Sequence, residues 1–453
     1  VGVISEELQS SKKAMADVFT NRAMRKVFSA FSASLIGDGV FALSALVFAY
    51  RNGGPTAVGG LAVARYVAIA STAPFTSTLA DRYDRRYVMI ASDLVRLLLV
   101  SAAAVTAGLH ASRWYVFLLV VLVGIPGTAF RPAQASIIPL LARTHDEVAG
   151  ANVVSSTIES VGFFAGPALA GFLLAFANVP LAFAFDALTF VWSALFIATV
   201  RYPTDRSPEL DAIGSSSATH DEEKAESFMS RAAQGFKLIL GNRDVSTLVT
   251  LYILQCVVAG ASAVFTVAIA LQLLHIGSSG LGLMESTIGI GGLFGGFIAL
   301  MLVERARLAT NFGFGVMIWA APLILIAALP SLASAFIAMG LIGAANSLVD
   351  VNAITVLQHV VPNEKLGRVL GALEAGEVGG MALGSLAMTV LINVTGLRDG
   401  LALIGGFVTM AVIPGLPTMR RIDREVFAEG LTHRPKSAHG HLHFHNHRLR
   451  HTR

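Results

Sequence analysis

The chain contains twelve stretches of roughly 20 mostly apolar residues, and no other feature narrows its fold as much. They fall at 27–50, 56–80, 87–109, 114–141, 150–177, 179–200, 246–272, 281–303, 311–329, 331–357, 369–395 and 398–416. Each is long enough to cross a hydrocarbon core of ~30 Å as a helix. Lipid offers no partner to backbone N–H and C=O groups, so helices that satisfy their own backbone are expected. The chain is 54% hydrophobic and 14% charged, whereas soluble domains carry about 25% charged residues. The expectation is an all-α membrane protein with twelve transmembrane helices. Pro126, Pro132 and Pro139 in span four and Pro167 in span five should bend their helices without breaking them, because neighbouring helices re-satisfy the freed carbonyls.

Lysine and arginine placement sets the orientation. With the N-terminus inside, 27 basic residues fall in segments 1–26, 81–86, 142–149, 201–245, 304–310, 358–368 and 417–453. The opposite side holds three, Arg51, Arg113 and Arg398, and Arg65, Arg96 and Arg131 lie within spans. Both ends are therefore expected in the cytoplasm, with the chain in a bacterial inner membrane. Residues 1–26 are polar and contain Lys12, Lys13, Arg22, Arg25 and Lys26, so no cleavable signal is expected there. The hydrophilic break at 201–245 separates two six-span bundles, 27–200 and 246–416. Its second part places Phe228, Ala232, Phe236, Ile239 and Leu240 at helical spacing, which predicts an interfacial helix.

The halves look related. A shift of 218 residues lays Glu159, Gly162 and Gly166 on Glu377, Gly380 and Gly384, and both stretches read E-x-x-G-x-x-x-G. The loop after span two reads Ser77-Thr-Leu79-Ala80-Asp81-Arg82-Tyr83-Asp84-Arg85-Arg86. It resembles the G-x-L-A-D-R-x-G-R-R signature of the major facilitator superfamily, with Ser77 and Asp84 at the glycine positions. Gly162, Gly166, Pro167 and Gly171 in span five resemble the G-x-x-x-G-P-x-x-G-G signature of its drug:proton antiporters. Residues 87–96 and Gly37-Asp38-Gly39 are similar to the branch of macrolide-efflux and enterobactin-exporter proteins. The resemblance covers residues 22–417. It implies two pseudo-symmetric six-helix bundles with substrate bound between them near mid-membrane. It also implies that Asp81 closes a cytoplasmic gate against span eleven, with Arg82, Arg85 and Arg86 pairing to acids or lipid phosphates.

Charges inside spans are costly in lipid and mark function or pairing. Asp38, Arg131 and Glu159 each lie about 14–17 Å from the inner ends of their spans at 1.5 Å per residue, with Arg65 one turn above. A carboxylate beside an arginine at that depth can hold or release a proton as its exposure changes. Glu377, the repeat partner of Glu159, joins them as a candidate for proton or substrate handling. Asp93 and Arg96, one turn apart, are expected to pair with each other. Asp186 and Glu285 lie near outer span ends and receive no role.

Cys256 is the one cysteine, which excludes an intramolecular disulfide and a cysteine metal cage. His439, His441, His443, His445 and His447 alternate in the tail, a weak metal-binding pattern. No catalytic constellation and no Walker loop are present, so no enzyme activity and no cofactor is expected. The basic residues follow membrane topology, not a nucleic-acid surface. The reading is a monomeric, proton-coupled exporter of amphipathic small molecules. A lipid or lysolipid flippase and a non-transporting membrane sensor are the alternatives. The short stretch after Pro417 disfavours the sensor, which would need a further ligand-binding domain. A reporter active only outside the cytoplasm should be silent when fused after Arg206 and active after Gly53. The reverse pattern overturns the topology.

Overall fold

The computed structural model describes residues 18–202, 228–303 and 307–432. The described residues are helical almost throughout, and eleven helices are long and apolar enough to cross a membrane. The first is a 61-residue rod, Arg22–Arg82, that breaks at Gly53 and Gly54. A straight rod of that length would be about three times the hydrocarbon thickness. The break divides it into α1 (22–52) and α2 (55–82). Asp38 of α1 and Arg65 of α2 line one cavity, so the two limbs fold back on each other. The twelve expected crossings are thus all present.

The first half continues with α3 (Arg85–Gly108), α4 (Arg113–Leu141), α5 (His145–Phe176) and α6 (Val179–Ala198). Helix α7 (Phe228–Leu240) precedes the second half. That half comprises α8 (Arg243–Ala268) with a π turn at Ile269–Leu273, α9 (Gly277–Val303), α10 (Leu308–Ala328), α11 (Leu332–Val360), α12 (Asn363–Thr395) and α13 (Leu397–Val412). The starts are capped as their sequences dictate. Asn21, Asp84, Thr144, Asn178 and Asn242 each accept from backbone N–H groups of the first turn, and Ser331 forms a capping box with Ser334. Asp84, at a family glycine position, has φ −56°, so this turn needs no glycine.

Two features exceed the sequence reading. Helix α7 lies against α12: a Cβ at Gly235 would strike the Arg368 carbonyl and Ala372. The chain also stays helical past the last span, in α14 (Leu416–Thr432). Asp423 on α14 accepts from the N–H groups of Ala309 at 2.8 Å and Thr310 at 3.1 Å, supplying α10 with the N-terminal acceptor its own sequence lacks. Arg421 pairs with Asp244 at the start of α8. On its apolar side Met419 sits over Gly313, and Ile422 is buried in the core. The His-rich stretch 439–447 lies outside the described residues.

The 218-residue repeat is structural. Gly162 of α5 packs on Leu35 of α1, and Gly380 of α12 packs on Ile253 of α8. Gly166 packs on Gly39, and Gly384 packs on Val257. Leu35 and Ile253, and Gly39 and Val257, are themselves 218 apart. The two halves therefore use the same helix crossing in the same register, with small residues permitting close approach.

The halves meet through α5 with α9 and α2 with α12. Hydrogen bonds between them gather toward the ends expected to face outward. Asn393 donates to Thr56 at 3.0 Å, Tyr50 meets Gln272 at 3.2 Å, and Ser286 donates to the Phe164 carbonyl at 3.1 Å. A Cβ at Gly171 would come within 2.9 Å of the Gly282 Cα. At the α1–α2 break, Gly54 has φ +60° and ψ −155°, a region essentially closed to residues with a Cβ. Gly54→Val should therefore cost about 1–3 kcal/mol, read as a lower melting temperature of the purified protein. Gly60→Ala, where an added Cβ meets open space, should leave it unchanged.

Candidate functional site

A cavity of about 810 Å³ lies between the halves. Its first-half wall carries Asp38, Arg65, Arg96 and Arg131 among Leu35, Phe31, Phe41 and Phe163. Its second-half wall carries Ala259, Ser262, Ala263 and Glu285. Most of the lining is thus apolar, with a few charged groups fixed by different helices, the composition that suits an amphipathic ligand.

Gly37-Asp38-Gly39 on α1 organises the first-half wall. Gly37 makes room behind the helix: a Cβ there would collide with Asp186 and Thr189 of α6. Gly39 makes room on another side, where α5 crosses with Gly166 and Pro167. Asp38, between them, points into the cavity and forms an ion pair with Arg96 of α3. Arg96 is 7% exposed and Asp38 is 38% exposed, so the cation is buried behind an acid that meets the cavity. Arg96 also donates to Ser34 at 3.4 Å and lies over the Phe190 ring at 4.2 Å, where a desolvated cation–π contact contributes about 2 kcal/mol.

The expected local pair of Asp93 with Arg96 does not form. Asp93 instead accepts from Ser193 of α6 at 2.6 Å. Arg96 is directed at Asp38, a partner 58 residues away on α1, which sequence spacing alone does not reveal. Asp186, given no role from the sequence, is fully buried beside this group and accepts from Thr189 at 3.2 Å.

Arg131 and Glu159 do meet, at 3.7 Å, with side chains 58% and 40% exposed. Theirs is a wet, loose pair. Arg65 lines the cavity with its buried Nε unpartnered. Glu285 reaches the same cavity from α9, although the sequence placed it near an outer span end. Glu377 does not line it. It belongs to a second polar group with Tyr252, Asp350 and Glu374, where Asp350 accepts from Asn346 at 2.9 Å. Asn346 in turn accepts from Gln255 and Trp319, each at 3.1 Å. Trp319 is itself buried in the second-half core. Trp192 is half-exposed and stacks on Phe196 at 4.6 Å, away from the cavity lining.

The loop signature is held within the first half. Arg86 donates to the Val200 carbonyl at 2.9 Å and covers the Tyr87 ring at 5.0 Å. Tyr202 donates to Asp84 at 2.8 Å. Partial burial, with the Asp84 charge beside it, pushes the Tyr202 hydroxyl up to about 12. Arg82 is exposed and Arg85 half-buried. The side chain of Asp81 lies outside the described residues.

Residues 27–385 match the profile of the Major Facilitator Superfamily. A Bacillus subtilis protein named as a bacilysin exporter is 24% identical over 323 residues, covering 70% of this chain and 76% of that protein. Macrolide efflux protein A of Streptococcus pyogenes is 25% identical over 189 residues, 41% of this chain. The match spans 46% of that relative's length. Among solved structures, a POT family transporter with 5-aminolevulinic acid superposes with a TM-score of 0.70 at 13% identity, covering 89% of this chain and 97% of that one. The nucleoside transporter NupG gives 0.67 at 11% identity, covering 87% and 97%. These structures share the fold.

The two ion pairs should differ in weight. Arg131→Ala should cost under ~1 kcal/mol, because a half-exposed pair is screened and loosely held. Arg96→Ala should cost several-fold more, on the order of 3 kcal/mol, because it strips a buried network of its cation. Thermal unfolding of the purified variants checks this, and equal losses would contradict the burial argument.

Proposed function

Because the chain belongs to the major facilitator superfamily, we propose that it is a proton-coupled exporter of amphipathic small molecules in a bacterial cytoplasmic membrane. It works as a monomer by alternating access, with both chain ends inside. The observation that carries this reading is the cavity between the halves: a largely apolar chamber in whose first-half wall an acid, Asp38, meets the cavity against a buried arginine. The names of the relatives, for macrolide efflux and bacilysin export, support export as the direction.

The chemistry follows from the geometry. With the cavity empty, Asp38 is ionised and holds Arg96. A proton arriving at Asp38 cancels that attraction and frees the guanidinium. Cargo and proton alter the same wall, so occupation by one disfavours the other, which is the requirement for exchange. The apolar wall receives the body of the cargo. Arg65 on one half and Glu285 on the other offer a polar anchor on each side, so one molecule can bridge the halves. Closure around cargo is then favoured by contacts that neither half makes alone. The glycine crossings of α5 with α1 and of α5 with α9 let the halves move as packed bodies. In this reading Asp81, Arg82, Arg85 and Arg86 serve the inner gate when the cavity opens outward.

Expression in cells should lower accumulation of erythromycin or ethidium, and an ionophore that collapses the proton gradient should restore it. Asp38→Asn should abolish gradient-driven efflux while leaving membrane insertion intact. In inside-out vesicles, addition of a transported compound should release protons. Flux that ignores the proton gradient removes proton coupling. Accumulation of every transported compound removes export. Movement of fluorescent lipid between leaflets, with neither drug transported, would favour the flippase.

A further inference from the structure

Behind the cavity wall, three carboxyl groups crowd one guanidinium. Asp38 comes from α1, Asp93 and Arg96 from α3, and Asp186 from α6. Asp93 and Asp186 are fully buried. Asp186 packs where Gly37 leaves space, beside the backbone of Asp38. Each of these inner acids has one hydroxyl partner, Ser193 for Asp93 and Thr189 for Asp186. The other oxygens, Asp93 Oδ1 and Asp186 Oδ2, are buried without a hydrogen-bond partner. Arg96 spends its contacts on Asp38 and Ser34.

The surrounding cations leave the imbalance in place. Arg65 of α2 keeps its Nε unpartnered and makes no ion pair with these acids among the described residues. Arg131 of α4 is half-exposed and engaged by Glu159 of α5. Three acids thus depend on one buried cation. Ionised together they would leave two uncompensated charges in a membrane interior, which is prohibitive. One ionised acid is enough to balance Arg96.

We propose that Asp93 and Asp186 form a buried proton store behind Asp38, in which Arg96 is the single counter-charge shared by all three acids. With the cavity empty, Asp38 is ionised against Arg96, and Asp93 and Asp186 each carry a proton. When Asp38 becomes protonated from the inner acids, an O–H bond breaks at Asp186 or Asp93 and one forms at Asp38, while Arg96 turns inward to the new carboxylate. Across this transfer the group stays neutral and holds two protons, and it presents one of them to the cavity only in its second arrangement. This deepens the proton-coupled reading and rests on it for its role in transport. The protonation count stands apart from transport.

The test is the infrared stretch of protonated carboxyl groups in the purified full-length protein near neutral pH, taken as variant-minus-wild-type differences. Asp93→Asn and Asp186→Asn should each remove one protonated carboxyl, and the double variant should remove two. Asp38→Asn gives the sharper result. Arg96, deprived of its partner, should ionise one inner acid, so the group's signal should fall by roughly half although Asp38 itself contributed none. A static Asp38–Arg96 pair predicts no change in that variant, and that result overturns the sharing. An unchanged signal in the double variant overturns the store, and it decides the matter if Asp38→Asn fails to fold. Erythromycin efflux insensitive to an ionophore would remove proton coupling while leaving the infrared count valid, so the two failures can be told apart.

Discussion

A guanidinium inside an apolar helix bundle must be matched there, because lipid supplies nothing to solvate it. The first half is arranged around that requirement at Arg96. Asp38 approaches it from the cavity, Phe190 covers it, and Ser34 takes one of its N–H groups. The neighbouring glycines serve the same end. Gly37 admits the Asp186–Thr189 edge of α6, and Gly39 admits α5. A side chain at either position would push a helix away and open the site. The Gly-Asp-Gly triplet is therefore one device: an acid held at the crossing of three helices by the absence of side chains on both sides.

The pseudo-symmetry makes the asymmetry informative. Both halves cross α1 with α5, or α8 with α12, through glycines in the same 218-residue register. The residue in the second half that corresponds to Asp38 is Cys256, which is buried. The counterparts of Arg96 and Arg131 are Phe314 and Val349. The repeat thus preserves the packing and confines the acid–arginine chemistry to one bundle. The second half keeps a different polar group, built on Asn346, Gln255, Trp319 and Asp350. The glycine crossings are shared by both bundles.

The fold was largely legible because its signals are local. A run of apolar residues needs no partner to declare a span, and the break at Gly53–Gly54 fell between two such runs. The E-x-x-G-x-x-x-G match marked a repeat of the halves, and its glycines lie at the shared helix crossing. The site was less legible, because ion pairs join helices far apart in sequence. Depth along each span grouped Asp38 with Arg131 and Glu159, and it brought Arg131 and Glu159 within reach of each other. It could not tell that Arg96 faces α1 and not its own neighbour Asp93, since that depends on the rotation of α3. Asp186 was passed over because it lies near the outer end of its span, where a carboxylate reaches water cheaply. The one clue lay in Gly37, whose lack of a side chain implied a close neighbour. The docking of α14 was hidden for another reason: its anchor, Asp423, caps a helix more than a hundred residues earlier.

The path from the charge site to the contact between the halves is short and made of backbone. Gly39 adjoins Asp38 and meets Gly166. Five residues on, Gly171 meets Gly282 of α9, and Phe164 on the same helix packs on Gly289 and accepts from Ser286. Helix α5 thus touches the Asp38-bearing helix on one side and the opposite half on the other, and Pro167 takes part in both contacts. Proline removes one backbone hydrogen bond and lets the helix bend there. A change in the attraction between α1 and α3 can therefore alter how α1 meets α5, and through α5 how the halves meet. Contacts without side chains transmit such a displacement directly, because no rotamer can absorb it. The same glycines that let an acid sit beside a buried arginine thus connect that pair to the surface on which the two halves meet.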